Sequence, residues 1–379
     1  MITGDPELIA IMRAEISARG PMSFARFMQL ALYDPSHGYY ACGRAAIGRG
    51  GDFFTNVSVG PMFGQLLAIQ FAEIWNKQEK PSDFLIVEQG AHDGAFAADA
   101  MVALERFSPA CYGAIRYVIA EPFPAWQVRQ RKTLAPFRDK IRWIESIQEL
   151  EPFVGIHFSN ELFDALPVHL VAARFVKGSM IWMEKLVTNV GEQFAFVFAP
   201  VTDADLQRRL NLLGLPAAEI ETEVSLVALK LMREIAAKLS CGVILAIDYG
   251  FSRAEFYSPH RREGSLQIRS RHRKLSPFQG IGRADISAHV DWTSLSEAAF
   301  EAGAIPLGFT DQHHFLTGIV SGAPVAPEEA GASNTRALQT LLHPELLGRS
   351  FQVLGLAKNF AESLSGFRFA GNARINLGT

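Results

Sequence analysis

The stretch Phe84–Asp99, FLIVEQGAHDGAFAAD, decides the fold. Phe84 to Val87 is a short apolar run rich in branched side chains, the pattern of a strand buried on both faces of a parallel sheet. Glu88 follows directly, and Gly90 and Gly94 then bracket a tight turn. Ala95 to Leu104 has a helix-forming composition, with alanines at the packing positions. Strand, glycine turn and helix make up the unit that brings backbone close to a nucleotide at the carboxyl end of a sheet. The spacing Glu88-x-Gly90-x-x-x-Gly94 differs from the dinucleotide fingerprint. An ordinary βα turn with two glycines has the same local pattern. His92 holds the middle of the turn, and histidine tolerates left-handed backbone better than most residues, so the turn can close.

An α/β rhythm continues from this unit. Arg116–Ala120, Ile141–Ile144, Val154–Ser159 and Val243–Ile247 read as further strands, and Ile305–Phe309 and Phe351–Ala357 complete seven. The expected architecture is a doubly wound, Rossmann-like α/β sheet of seven strands. The gap between the fourth and fifth strands is too long for one helix, so residues 168–221 form an inserted subdomain. Arg174–Val176, Met180–Met183 and Phe194–Phe198 read as short antiparallel strands within it. Residues 1–80 form an N-terminal helical cover, with Asp5 and Ser23 as helix caps. The sheet domain then comprises 81–167 and 222–379. The inserted subdomain is also the candidate surface for a homodimer.

Bulk properties exclude several classes. A chain of 379 residues, 49% hydrophobic, can bury a substantial core. The net charge of −3 argues against a nucleic-acid partner. Cys42, Cys111 and Cys241 lie far apart, which predicts neither a disulfide framework nor a metal site. No apolar run is long enough to span a membrane. Asp5, Glu7 and Glu15 near the start do not fit a signal or transit peptide, and the expected location is the cytoplasm.

Three clusters carry candidate chemistry. Glu121, at the end of the second strand, is placed to accept hydrogen bonds from both hydroxyls of a ribose. The plainer alternative is a solvated strand-end carboxylate. Asn160, Glu161 and Asp164 concentrate polar groups at the end of the fourth strand, where carboxylates can orient a cationic or amine acceptor and take its proton. Helix capping by Asn160 and first-turn charge from Glu161 would give the same residues. Arg261-Arg262 and Arg269–Lys274 lie in an excursion between the fifth and sixth strands, read as a mobile loop that clamps an anionic group.

Taken together, these stretches resemble the MidA-like methyltransferases, among whose relatives are the mitochondrial complex I assembly protein arginine methyltransferases. The matching pieces are Tyr33-Asp34-Pro35 with Gly38-Tyr39-Tyr40, Gly51-Asp52-Phe53-Phe54-Thr55, Phe63-Gly64-Gln65, the turn Glu88–Gly94, and Glu121-Pro122. Further along come Asn160–Val168, Ile247-Asp248-Tyr249-Gly250, Gly264-Ser265-Leu266 and Asp285–Trp292. The resemblance implies a class I methyltransferase using S-adenosylmethionine and acting on arginine of a protein substrate. It implies cofactor contacts from Glu88, Gly90, Gly94, Glu121, Asn160, Asp52 and Thr55. It implies that Glu161, Asp164 and Asn160 hold and deprotonate the acceptor. Two departures stand out. His92 replaces the second of three glycines, and Asn56-Val57-Ser58-Val59 replaces a Thr-x-Pro-Glu continuation. The rivals are a nicotinamide-dependent oxidoreductase, against which the turn spacing argues, and a non-catalytic assembly protein that keeps the fold.

Overall fold

The seven apolar runs assigned to the main sheet join one sheet in the computed structural model, which describes residues 2–44, 56–216, 218–258, 260–270, 273–322 and 332–378. Seven strands form it: β1 Phe84–Gln89, β2 Ile115–Ala120, β3 Ile141–Ile144, β4 Phe153–Asn160, β5 Leu239–Asp248, β6 Ile305–Asp311 and β7 Gln352–Lys358. Their order across the sheet is β6-β7-β5-β4-β1-β2-β3. Strands β1 to β5 run parallel, while β7 runs antiparallel to both β5 and β6. This is the doubly wound sheet expected from the sequence. The chain winds outward from β1 in one direction and from β4 in the other. Their adjacent carboxyl ends are therefore a topological switch point, where such sheets bind ligands.

The sheet belongs to a compact unit made of Thr55–Leu162, Leu231–Ser252 and Val290–Thr379. Its central strands are buried on both faces because helices cover them, as the continuous apolar runs demand. Phe158 of β4 stacks on Phe96 of the helix Ala95–Phe107, with ring centroids 4.4 Å apart. Phe71 of the helix Met62–Lys77 meets Phe158 edge-on at 5.6 Å. Each such buried ring contributes about 1.5–3 kcal/mol relative to exposure.

The other compact unit comprises Met1–Phe54, Phe163–Lys230 and Arg253–His289. Its sheet is antiparallel. The strand Ser179–Val190 pairs with His169–Val176, with Gln193–Pro200 and with Met22–Ser23, and Ile220–Val224 pairs with His169–Val176. Thus the N-terminal segment shares a sheet with the inserted strands. Asp5 caps the helix Pro6–Arg19, and Ser23 caps the helix Phe24–Tyr33. Phe27 meets Phe194 at 5.9 Å and Phe278 at 5.8 Å, which ties helix, inserted sheet and excursion into one core.

Part of the excursion that carries the basic residues forms strands. Gln267–Ser270 pairs with Arg273–Lys274 and with Asp285–Ser287. Ile268 lies opposite Ile286, and both are buried, so one apolar cross-strand pair joins short strands whose other side chains are polar. Arg271 and His272 lie outside the described residues. Among the described residues, no helix is long and apolar enough to cross a membrane.

Candidate active site

The turn after β1 has left-handed backbone at three positions in five: Gly90 at φ 81°, His92 at φ 47° and Gly94 at φ 85°. The turn closes through Gly94 N–H, which donates to Ala91 O at 2.8 Å. At Gly94 a Cβ would also sit 3.0 Å from Leu134 Cδ1, so glycine is required there by conformation and by packing. A Cβ at Gly90 would lie 3.4 Å from Leu162 Cδ1 and 4.0 Å from Asn160 O, which shows how closely the turn abuts the end of β4. Glu88, by contrast, is committed inside the sheet. Its Oε2 accepts from Tyr117 Oη at 2.7 Å, and burial pushes its carboxyl up to about 7 despite that bond.

Glu121 is also buried, beyond the end of β2. Its Oε1 accepts from Phe123 N–H at 3.0 Å, and its Oε2 accepts from Gln130 Nε2 at 3.1 Å. Burial raises this carboxyl to about 7, opposed by those two bonds and by the charge of His92. The helix Pro124–Thr133 approaches the glycine turn through two residues one turn apart. The Trp126 ring lies 4.4 Å from that of His92, and Gln130 Nε2 donates to His92 O at 2.8 Å.

At the end of β4, Glu161 has φ 53°, and its N–H donates to Ile247 O of β5 at 2.9 Å. Three side-chain amides lead up to its carboxylate. Gln312 Nε2 donates to Asn56 Oδ1 at 2.9 Å, Asn56 Nδ2 to Asn160 Oδ1 at 3.0 Å, and Asn160 Nδ2 to Glu161 Oε1 at 2.9 Å. The far end is fixed by Leu341 O, which accepts from Gln312 Nε2 at 3.2 Å. A carbonyl and a carboxylate both accept, so every amide in the chain donates toward Glu161.

The chain as a whole has counterparts among known proteins. A family model described as "Putative S-adenosyl-L-methionine-dependent methyltransferase" matches residues 66–310. The chain belongs to this methyltransferase family. It is similar to the mitochondrial protein arginine methyltransferase NDUFAF7 of Homo sapiens, at 25% identity over 95% of this chain and 85% of that protein. Its likeness to the mitochondrial NDUFAF7 homolog of Drosophila melanogaster is 27% identity over 80% of this chain and 72% of that protein. A crystal structure of a Burkholderia thailandensis protein bound to S-adenosyl-homocysteine superposes with a TM-score of 0.85 at 31% identity, covering 97% and 96% of the two chains.

The methyltransferase therefore uses S-adenosylmethionine, and the acceptor positions of Glu121 fit it. A carboxylate accepts about four hydrogen bonds. Two are taken by Phe123 and Gln130, and the two that remain match two vicinal ribose hydroxyls. The expected cytoplasmic location is corrected by the relatives, since those from fly, human and zebrafish are mitochondrial proteins. That expectation rested on acidic residues near the start, which do not by themselves report the compartment.

Within the sheet unit of the methyltransferase, Glu88, Gly90, Gly94, Glu121, Asn160 and Glu161 all stand at the carboxyl ends of β1, β2 and β4. Asp164 belongs to the other unit, where its carbonyl accepts from Ala288 N–H at 2.9 Å. Asp52 and Thr55 lie outside the described residues. The sequence alone assigns no site role to Asn56, Gln130 or Gln312. The one available signal was Asn56, where the chain departs from the pattern it resembles.

Proposed function

We propose that this methyltransferase transfers a methyl group to an arginine side chain of a protein, with Glu161 and Asn160 holding the acceptor. The supporting observation is the directed amide chain ending on Glu161 Oε1, beside a glycine turn on the neighbouring strand. A non-glycine residue in left-handed backbone costs about 1 kcal/mol or more, and such strain persists where the surroundings over-determine it. The names of the NDUFAF7 relatives supply the choice of arginine.

S-adenosylmethionine supplies an electrophilic methyl group on a sulfonium. In this proposal Gly90 and Gly94 let the turn approach it, Glu121 takes its ribose hydroxyls, and Asn160 stands between cofactor and acceptor. Glu88 acts through the sheet, its carboxylate bound to Tyr117. A guanidinium is a weak nucleophile because its lone pair is delocalised. Charge-assisted bonds from Glu161 would localise its charge and aim one nitrogen at the methyl carbon. With the cofactor bound, the guanidinium nitrogen would take the methyl group as the sulfonium carbon–sulfur bond breaks, and the Glu161 carboxylate would take the proton that nitrogen releases. Positioning then carries most of the rate.

The Glu161→Gln variant tests the acceptor role. It keeps size and hydrogen-bonding capacity but removes the charge. Affinity for S-adenosylhomocysteine should stay near wild type, while methyl transfer to protein should fall by about two orders of magnitude. Near-normal transfer with a lowered melting point would assign Glu161 to the scaffold.

A further inference from the structure

The helix Pro124–Thr133 buries two side chains, Trp126 and Gln130, and Gln130 is 0% exposed. A buried amide is costly unless its polar atoms are met. Those of Gln130 are met on both sides. Its Oε1 accepts from Trp143 Nε1 at 3.0 Å, and its Nε2 donates to His92 O at 2.8 Å and to Glu121 Oε2 at 3.1 Å. An indole N–H only donates and a backbone carbonyl only accepts, so the amide has one orientation. Its second N–H is thereby aimed at Glu121. Trp126, on the same face of the helix, packs its ring against His92. One helix therefore braces the glycine turn by ring and by carbonyl, and the same amide steadies the strand-end carboxylate.

We propose that Gln130 is the positioning residue of the nucleoside site, holding the Glu121 carboxylate and the glycine turn in one register so that the ribose hydroxyls are recognised. This rests on the ribose role given to Glu121 above. Glu121 keeps two acceptor positions for the ribose, and Gln130 fixes where they face. Freed from Gln130, the carboxylate keeps the amide of Phe123, two residues along its own chain, as its hydrogen-bond donor among the described residues. Selection for the vicinal diol is then what suffers first.

Calorimetry on the intact chain with two probes, S-adenosylhomocysteine and its 2′-deoxy analogue, tests this. Wild type should prefer the diol by about tenfold or more, the loss expected for one hydrogen bond to a charged group. Gln130→Met keeps the length of the side chain and removes both donors. Affinity for S-adenosylhomocysteine should fall about tenfold, and the preference should shrink below about threefold. A preference that survives in Gln130→Met overturns the proposal, because a merely structural loss weakens both probes alike. Glu121→Ala separates the proposal from its premise. If Glu121→Ala keeps the preference, the ribose role itself fails. If Glu121→Ala loses it while Gln130→Met keeps it, only Gln130 is misassigned. Should Gln130→Met not fold, Gln130→Asn serves, since an amide one methylene shorter should lose the preference as well.

Discussion

Burial sets the chemistry of Glu121. It lifts the carboxyl from an ordinary 4.5 to about 7, against the opposing pull of the Phe123 amide, the Gln130 amide and His92. Ribose hydroxyls donate best to the ionised form. Binding therefore favours ionisation and expels a proton near neutral pH. Affinity for S-adenosylhomocysteine should fall as pH drops from about 8 to about 6, approaching tenfold per unit below the raised value. Calorimetry in two buffers of different ionisation enthalpy reads the released proton, and Glu121→Gln should abolish both effects. A wild-type affinity that stays flat across this window contradicts the ribose assignment. At this scale the sequence was informative where a residue type has few options. His92 was expected to accept left-handed backbone, and it does so at φ 47°. Gln130 was opaque, because a glutamine in a charged helix carries no mark of burial.

Elements meet at the amide chain. It ties the end of β4 to the turn before Val57–Val59 and to the start of the helix Gln312–Gly322. Asn56 and Gln312 are both fully buried. Replacing Asn56 by Leu would leave Asn160 Oδ1 without its donor and one Gln312 N–H without its acceptor. A stability loss of about 1–3 kcal/mol per stranded group is expected in denaturant titration, with little change in S-adenosylhomocysteine affinity. Unchanged stability would mean that the three amides do not act as a unit. The strands themselves were readable as short branched runs between turn residues, although β5 begins at Leu239, four residues ahead of Val243. The amide chain was not readable. Asn56 lies 104 residues from Asn160 and 256 from Gln312, and only tertiary packing pairs them. The strands of the excursion were hidden for a similar reason, since one buried Ile268–Ile286 pair outweighs a strongly polar composition.

The whole molecule divides into a methyltransferase sheet unit and a second unit built from the N-terminal segment, the inserted strands and the excursion. The doubly wound topology follows from the alternation of apolar runs and helices. The company kept by the N-terminal segment does not, because a two-residue pairing such as Met22 with Val187 leaves no pattern in the sequence. The sheet unit accounts for the cofactor, and family membership for the reaction type. The proposed transfer of the methyl group is to arginine in a protein. It is tested most directly by incubating the intact chain with lysate proteins and methyl-labelled S-adenosylmethionine, followed by acid hydrolysis and amino-acid analysis of the labelled polypeptides. Label should appear in methylated arginine of discrete polypeptides. Label recovered on another amino acid, or none on protein while S-adenosylhomocysteine still binds, would contradict it.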